Sequence, residues 1–276
     1  MSGLDKSKSE GVPSYYDANY DNFQTELYAD IRHEAFGEDI GQNSWLTAEE
    51  QDMFLGWLDL SPGKTLLDVA CGSGGPSLRI SAATGCSVVG IDIHEQAIST
   101  AKSLASQRKL QERTEFYVVN ASQPLPFPDA RFDAITCIDA INHLSNRPSV
   151  IAKWARLLKP GGRLLFTDTA IITGPLTSEE IAVRSSAGFF LFVPRDYDRE
   201  VIGQSGLQML ASRDVSSNMA EVAEKRRAAR EKRSTALRRI EGDATFEAQQ
   251  KFLAMTSRLA AEGRLSRFVF LSEKGG

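Results

Sequence analysis

Asp68 and Asp92 are acids that close short apolar runs beside glycines, a placement suited to holding a ligand. Asp68 stands in Leu66-Leu67-Asp68-Val69-Ala70-Cys71-Gly72-Ser73-Gly74-Gly75-Pro76-Ser77, ahead of a run that can open a helix. Glycines let backbone approach a ligand with no Cβ in the way. A helix N-terminus offers unpaired N–H groups. The stretch reads as a cradle for a nucleotide-like molecule. Its acid narrows that ligand, since a carboxylate repels a pyrophosphate and attracts an ammonium or other cation. The glycines agree: Gly72-x-Gly74 is followed by Ser77 where a dinucleotide fingerprint has its third glycine. Asp92 comes 18 residues after Gly74, where a carboxylate can accept both hydroxyls of a ribose. His143 offers different chemistry, because an imidazole titrates near neutrality and suits a general base.

These residues need elements to position them. The apolar runs predict strands over 65–70, 87–93, 114–120, 132–140 and 163–168. Helices over 76–83, 95–107 and 148–158 alternate with them. That rhythm argues for a parallel sheet, and the near-continuous apolar strands argue that both its faces are covered. The fold class is therefore α/β, a Rossmann-like, doubly wound, mostly parallel sheet. Among the three histidines only His143 follows the fourth strand, and the carboxyl ends of parallel strands are where ligands sit. His94 reads as a solvated loop histidine, and Cys71 as a small residue in a tight turn.

Outside the alternation, residues 1–13 look disordered. Helices are predicted over 23–36 and from a cap at Ser44 or Thr47 to about residue 60. Beyond Thr169 come a helix over 178–187, the aromatic run Phe189-Phe190-Leu191-Phe192-Val193, and a strand near 207–215. A charged helix over 217–240, with Met219, Val222, Ala229, Leu237 and Ile240 as its packing stripe, precedes a helix over 245–262 and a last strand over 265–271. The division expected is N-terminal helices and lid over 1–60 and a ligand-binding core over 61–170. A helical cap over 171–262 carries the sixth core strand, and 263–276 is the last strand.

Composition excludes several classes. The net charge is −4 and 42% of residues are apolar, so a sizeable core is expected and no general attraction to nucleic acid or an anionic membrane. The basic run Lys225-Arg226-Arg227, Arg230, Lys232-Arg233, Arg238-Arg239 is interleaved with glutamates, as on a solvated helix. No segment is long and apolar enough to span a membrane. The three cysteines show no metal-type spacing, which fits reduced thiols in a cytoplasmic protein without a metal.

The motifs in order resemble class I S-adenosylmethionine-dependent methyltransferases. Leu67-Asp68-Val69-Ala70-Cys71-Gly72-Ser73-Gly74 is similar to their first motif, and Asp92 to their ribose-binding acid. Asn120-Ala121 resembles the adenine site, with Asn where Asp is common. Phe132-Asp133-Ala134-Ile135 and Leu157-Leu158-Lys159-Pro160-Gly161-Gly162 resemble the later motifs. The resemblance implies S-adenosylmethionine as cofactor, held by Ile40, Gly41, Asp68, Ala70, Gly72, Gly74, Asp92, Ile93, Asn120, Ala121 and Ile138.

A narrower resemblance is to phosphoethanolamine N-methyltransferases, through Phe36-Gly37-Glu38-Asp39-Ile40-Gly41 and Asp139-Ala140-Ile141-Asn142-His143. It implies that His143 is catalytic and pairs with an N-terminal tyrosine over the substrate. Tyr16 is the candidate, with Tyr20 and Tyr28 as rivals. Where those enzymes place a tyrosine against phosphate, this chain offers phenylalanines, which donate no hydrogen bond. A small-molecule acceptor, partly apolar or aromatic and methylated on nitrogen or oxygen, is expected instead, by a monomer or homodimer. Carbon methylation in a biosynthetic pathway and a cofactor-sensing module without turnover stay as alternatives. A nicotinamide oxidoreductase is disfavoured by Ser77 and Asp68.

Overall fold

The computed structural model describes residues 15–276, so the disorder expected for 1–13 falls outside the described residues. Helices α1 (Tyr15–Asp21), α2 (Glu26–Phe36) and α3 (Ala48–Leu58) come first. Thr47 caps α3, its hydroxyl accepting from Glu50 N at 3.2 Å. The alternating region then runs β1 (Thr65–Val69), α4 (Gly75–Thr84), β2 (Ser87–Asp92), α5 (Glu95–Gln107), β3 (Thr114–Val118) and β4 (Phe132–Cys137). A 3₁₀ turn, Ile141–His143, leads to α6 (Arg147–Leu157) and β5 (Leu158–Ile172). The remainder is α7 (Ser178–Arg184), β6 (Val193–Pro194), α8 (Tyr197–Gln204), β7 (Leu207–Asp214), α9 (Ser216–Lys232), α10 (Ser234–Glu241), α11 (Asp243–Ala261) and β8 (Leu265–Lys274).

One sheet carries the molecule, in the order β3-β2-β1-β4-β5-β8-β7, with the short β6 paired to β5. Strands β1 to β5 are mutually parallel, and β8 lies antiparallel between β5 and β7. Successive strand residues face opposite ways. Leu67 and Val69 pack with α6 and α8, while Leu66 packs with α3 and α4. Both faces are covered, as the continuous apolar strands require. A further layer of α2, α9 and α11 buries Met219, Val222, Phe252 and Leu253 against Phe36 and Trp45. No helix among the described residues is long and apolar enough to cross a membrane.

Several expected boundaries are corrected. Strands β3 and β4 stop at Val118 and Cys137, because the chain beyond them turns off the sheet; Asp139 adopts a left-handed φ of +55°. Strand β5 begins at Leu158, since Gly161, at φ +73°, bulges the backbone without ending the ladder, and it reaches Ile172 because β8 pairs along it. The single charged helix is two helices meeting at Arg233, which swings α10 aside and leaves Ile240 47% exposed. Helix α8 was not expected at all. It is docked by buried Val201 and Ile202 and by Asp198, which accepts from Arg147 Nη1 at 2.8 Å.

Candidate active site

Between β1 and β4 the order of connection reverses, and a crevice opens at the carboxyl ends of the strands. A cavity of about 380 Å³ lies there, under the helical layer. Its two ends differ in charge.

The acidic end is built by β1, β2 and the turn into α4. Asp68 is buried, and its Oδ1 accepts from Thr136 Oγ1 on the paired β4 residue at 2.9 Å. Its Oδ2 accepts from Ser77 Oγ on α4. Burial pushes its carboxyl up to about 6, against the two hydroxyls that hold it down, and Asp92 adds to the rise. Asp92 is also buried; its Oδ2 accepts from Gly72 N at 2.9 Å and its Oδ1 from His94 N at 3.0 Å. Each carboxylate oxygen has two lone pairs, so both retain capacity for a diol. Ala70 and Gly72 stand at φ +58° and +55°, the sharp turn that brings backbone to the cavity wall. Ser73 Oγ is buried on that wall with no hydrogen-bond partner among the described residues. Burial, with Asp68 and Asp92 nearby, pushes the Cys71 thiol well above its usual range, which is wrong for a nucleophile. Ile93, Asn120 and Ala121 line the same end, Ile93 with 56% of its surface open.

The other end centres on His143. Its Nδ1 is 2.7 Å from the Phe189 carbonyl oxygen, which only accepts, so Nδ1 carries the proton. Its Nε2, 2.8 Å from the Tyr16 hydroxyl, therefore accepts from Tyr16. Burial lowers the imidazole pKa from its ordinary 6.5, the Phe189 carbonyl raises it, the Arg184 charge lowers it further and Asp168 raises it. The ring is neutral at pH 7 with a basic nitrogen at the cavity.

Phe190 meets the imidazole edge-on at 4.6 Å, and Trp45 stacks on Phe252 at 6.4 Å. Asp139 fixes Trp45 in place. Its carboxylate accepts from Trp45 N at 2.8 Å, from Thr167 Oγ1 at 2.6 Å and from Arg267 Nε at 2.7 Å.

The structure brings Tyr16, Gly41, Asp68, Ala70, Gly72, Asp92, Ile93, Asn120, Ala121, Ile138 and His143 to this one cavity. Ile40 and Gly74 do not line it. Ile40 is buried in the core, and a Cβ on Gly75 would stand 2.2 Å from its carbonyl oxygen. Gly74 is glycine for packing, since a Cβ there would stand 2.7 Å from Ala101 Cβ at a φ of +75°. His94 is not simply solvated, because its ring lies 5.1 Å from that of Tyr20 at the cavity wall. Among the rival tyrosines, Tyr28 donates to Glu241 Oε2 at 2.8 Å, away from the cavity. Tyr20 lies over the acidic end, its hydroxyl 3.1 Å from where a Gly72 Cβ would be.

Trp45, Asp139, Asn142, Arg184, Arg226 and Phe252 were missed. Asp139 was findable, as a third acid just past a strand end. Arg226 was findable too: its i±3 and i±4 neighbours are Val222, Ala223, Ala229 and Arg230, so no helical acid pairs with it. Much of the basic run is paired on the surface, Lys225 with Glu221, Arg227 with Glu224, Arg233 with Glu34 and Arg238 with Glu247, while buried Arg230 pairs with Glu241.

Residues 67–166 match the family model described as a methyltransferase domain. The chain is 32% identical over 203 residues to 27-O-demethylrifamycin SV methyltransferase of Amycolatopsis mediterranei, covering 69% of this chain and 74% of that protein. It is 35% identical over 149 residues to phosphoethanolamine N-methyltransferase 3 of Arabidopsis thaliana, covering 54% of this chain and 29% of that longer protein. In fold it is similar to the cyclopropane synthase MmaA2 of Mycobacterium tuberculosis. The TM-score is 0.79 at 21% identity, covering 94% of this chain and 97% of that one.

Proposed function

The chain belongs to the class I S-adenosylmethionine-dependent methyltransferases, and from there we propose that it methylates an oxygen or nitrogen of a small, partly apolar molecule. His143 is the base and Tyr16 its closing partner. Membership makes S-adenosylmethionine the cofactor, and the acidic end fits it. Asp92 offers its carboxylate to the ribose. Asp68 and the buried Ser73 hydroxyl suit the ammonium and carboxylate of the methionine part. Ile93, Asn120 and Ala121 flank the base, with Gly41, Ala70, Gly72 and Ile138 along the wall. Ile40 and Gly74 support the site by shaping the turn that carries it. When bound, the cofactor supplies an electrophilic methyl group on a sulfonium.

One observation carries the reading: the Tyr16–His143 hydrogen bond at the cavity, with the imidazole held in the Nδ1–H form by Phe189. A neutral imidazole so oriented can take the proton of an acceptor hydroxyl, in place of the Tyr16 hydroxyl or through it, as the acceptor oxygen attacks, and it can free an amine lone pair by taking an ammonium proton beforehand. Such a base is worth roughly 10²–10⁴ in rate. Holding the acceptor in line can contribute ~7–11 kcal/mol more. Residues 15–60 and 171–262 then form the cover over the acceptor, and 61–170 the cofactor core. Carbon methylation through a carbocation is opposed by Arg184, whose guanidinium lies against the Phe190 and Phe252 rings that would have to face the cation.

The test is methyl transfer across a panel of phenols, hydroxy acids and amines, followed against pH. Turnover should hold between pH 7 and 8 and decline only below the ordinary imidazole value of 6.5. His143→Ala should remove that decline along with most of the rate. A wild-type profile without it, or one that survives in the variant, would show that another group is the base.

A further inference from the structure

We propose that the end of the cavity away from Asp68 and Asp92 is an oxyanion subsite, formed by Arg184 and Arg226, that selects acceptors carrying a carboxylate or phosphate on a planar apolar body. The proposal rests on the methyltransferase reading of the same cavity and names the class of acceptor it takes.

Both arginines line the cavity, and both are buried, Arg184 at 1% exposure and Arg226 at 9%. For Arg226 the contacts are weak, and a buried guanidinium is costly unless something compensates it. The contacts of Arg226 are with a neutral residue: its Nη1 and Nη2 reach Asn43 O and Oδ1 only at 3.5 Å. Asp139, which also lines the cavity, is committed to Arg267, Thr167 and Trp45 N.

Ring faces hold the two cations in place. Arg226 lies 5.7 Å from the Trp45 centroid, Trp45 stacks on Phe252, and Arg184 lies 4.6 Å over Phe252 and 5.4 Å from Phe190. Phe190 in turn meets His143. The order is therefore guanidinium, indole, phenyl, guanidinium, phenyl, imidazole. Stacking keeps each planar fork oriented, which is the form in which arginine grips a planar oxyanion. The rings between the forks offer an apolar slot for a planar body. His143 at the end of the row places the base one ring away from Arg184. The cavity thus has acids where a sulfonium cofactor binds and cations where the acceptor enters. A cationic acceptor is repelled there, a neutral one gains nothing from either fork, and an oxyanion gains charge-assisted bonds.

The experiment titrates the full chain, saturated with S-adenosylhomocysteine, by calorimetry. The probes are 4-hydroxybenzoate, 4-hydroxycinnamate, phenyl phosphate and the methyl esters of the two acids. An acid or phosphate should bind at least about tenfold tighter than the esters; which of the two binds tighter tells carboxylate from phosphate. Arg184→Gln and Arg226→Gln should each erase most of that preference and leave S-adenosylhomocysteine affinity unchanged. Arg184→Lys keeps the charge and should retain part of the preference, which serves if a glutamine variant does not fold. Esters that match the acids, or no oxyanion binding at millimolar concentration in a protein that still binds S-adenosylhomocysteine, would overturn the subsite. A wild-type chain that does not bind S-adenosylhomocysteine would overturn the methyltransferase reading, and the subsite with it.

Discussion

The acidic end of the cavity comes from one continuous stretch, 65–94, whose strand, turn, helix and strand bring Asp68, Gly72 and Asp92 together. The basic end gathers Tyr16 from α1, His143 from a 3₁₀ turn, Arg184 from α7, Arg226 from α9 and Phe252 from α11. The first set is positioned by backbone: sheet register places Asp68 beside Thr136, and two main-chain N–H groups orient Asp92. The second is positioned mainly by side chains packed on side chains, rings against guanidinium groups, with the Phe189 carbonyl orienting His143. A strand end tolerates little change without loss of the sheet. A packed row of side chains can be altered one member at a time. In the proposed function cofactor binding is thus tied to the fold, and acceptor choice is left to the helical layer.

Changes at one end should leave the other intact, and the largest effect belongs to His143. His143→Ala should lower kcat by roughly 10²–10⁴ while the cofactor Kd stays at its wild-type value. Stopped turnover with a loosened cofactor would mean the two ends are not separable. Next comes Asp92→Ala, which removes the charged partner of the ribose, a loss of ~1.5–3 kcal/mol in all once water rebonds one of the two hydroxyls. It should weaken cofactor binding by about 10–100-fold, measured by calorimetry with S-adenosylhomocysteine. At saturating cofactor, kcat should change far less.

The same contrast explains what could be read in advance. Asp68, Asp92 and the glycine turn were legible because their chemistry follows from order and spacing along a few tens of residues. Helix α5 was legible to the residue because Ala97, Ile98 and Ala101 recur at helical spacing, and all three are buried. Gly74 also makes room for Ala101 and Phe116, neighbours that only the folded chain supplies. Helix α8 left no signal, since it is held by a buried ion pair between Asp198 and Arg147 rather than by a long apolar stripe. Arg184 left none either. A buried arginine and a solvated one look alike in a sequence when the rings that hold it, here Phe190 and Phe252, lie on other elements.

Asp68 sharpens the comparison through pH. Burial raises its carboxyl from 3.8 to about 6, so the charged form is disfavoured in the folded chain. Folding stability is therefore lost as pH rises from about 4 through 6, by up to ~3 kcal/mol at ~1.4 kcal/mol per unit. In the proposed function the carboxylate serves the cofactor's ammonium. Without cofactor, Asp68→Asn should melt higher than wild type at pH 7 to 8, by ~2–4 °C per kcal/mol regained. It should bind the cofactor about tenfold more weakly. Wild-type affinity should decline below pH 6 as the carboxyl protonates, and the variant's should not. A variant that melts lower at pH 8 would show that the hydroxyls of Ser77 and Thr136 more than offset the burial.

Tyr16 sits where the two ends meet, and its effect should be the smallest. Its hydroxyl donates to His143, while its ring lies 6.0 Å from that of His94, whose backbone N–H orients Asp92. Tyr16→Phe keeps the ring and removes one hydrogen bond, worth ~0.5–1.5 kcal/mol. If Tyr16 serves the acceptor end, kcat should fall by about 2–10-fold, the acceptor KM should rise, and cofactor affinity should not move. Combined with His143→Ala it should add almost nothing, because the bond it contributes is gone already. If instead the cofactor Kd rises as much as kcat falls, the hydroxyl acts through His94 and Asp92. Tyr16 would then belong to the acidic end, and the lid would respond to cofactor rather than to acceptor.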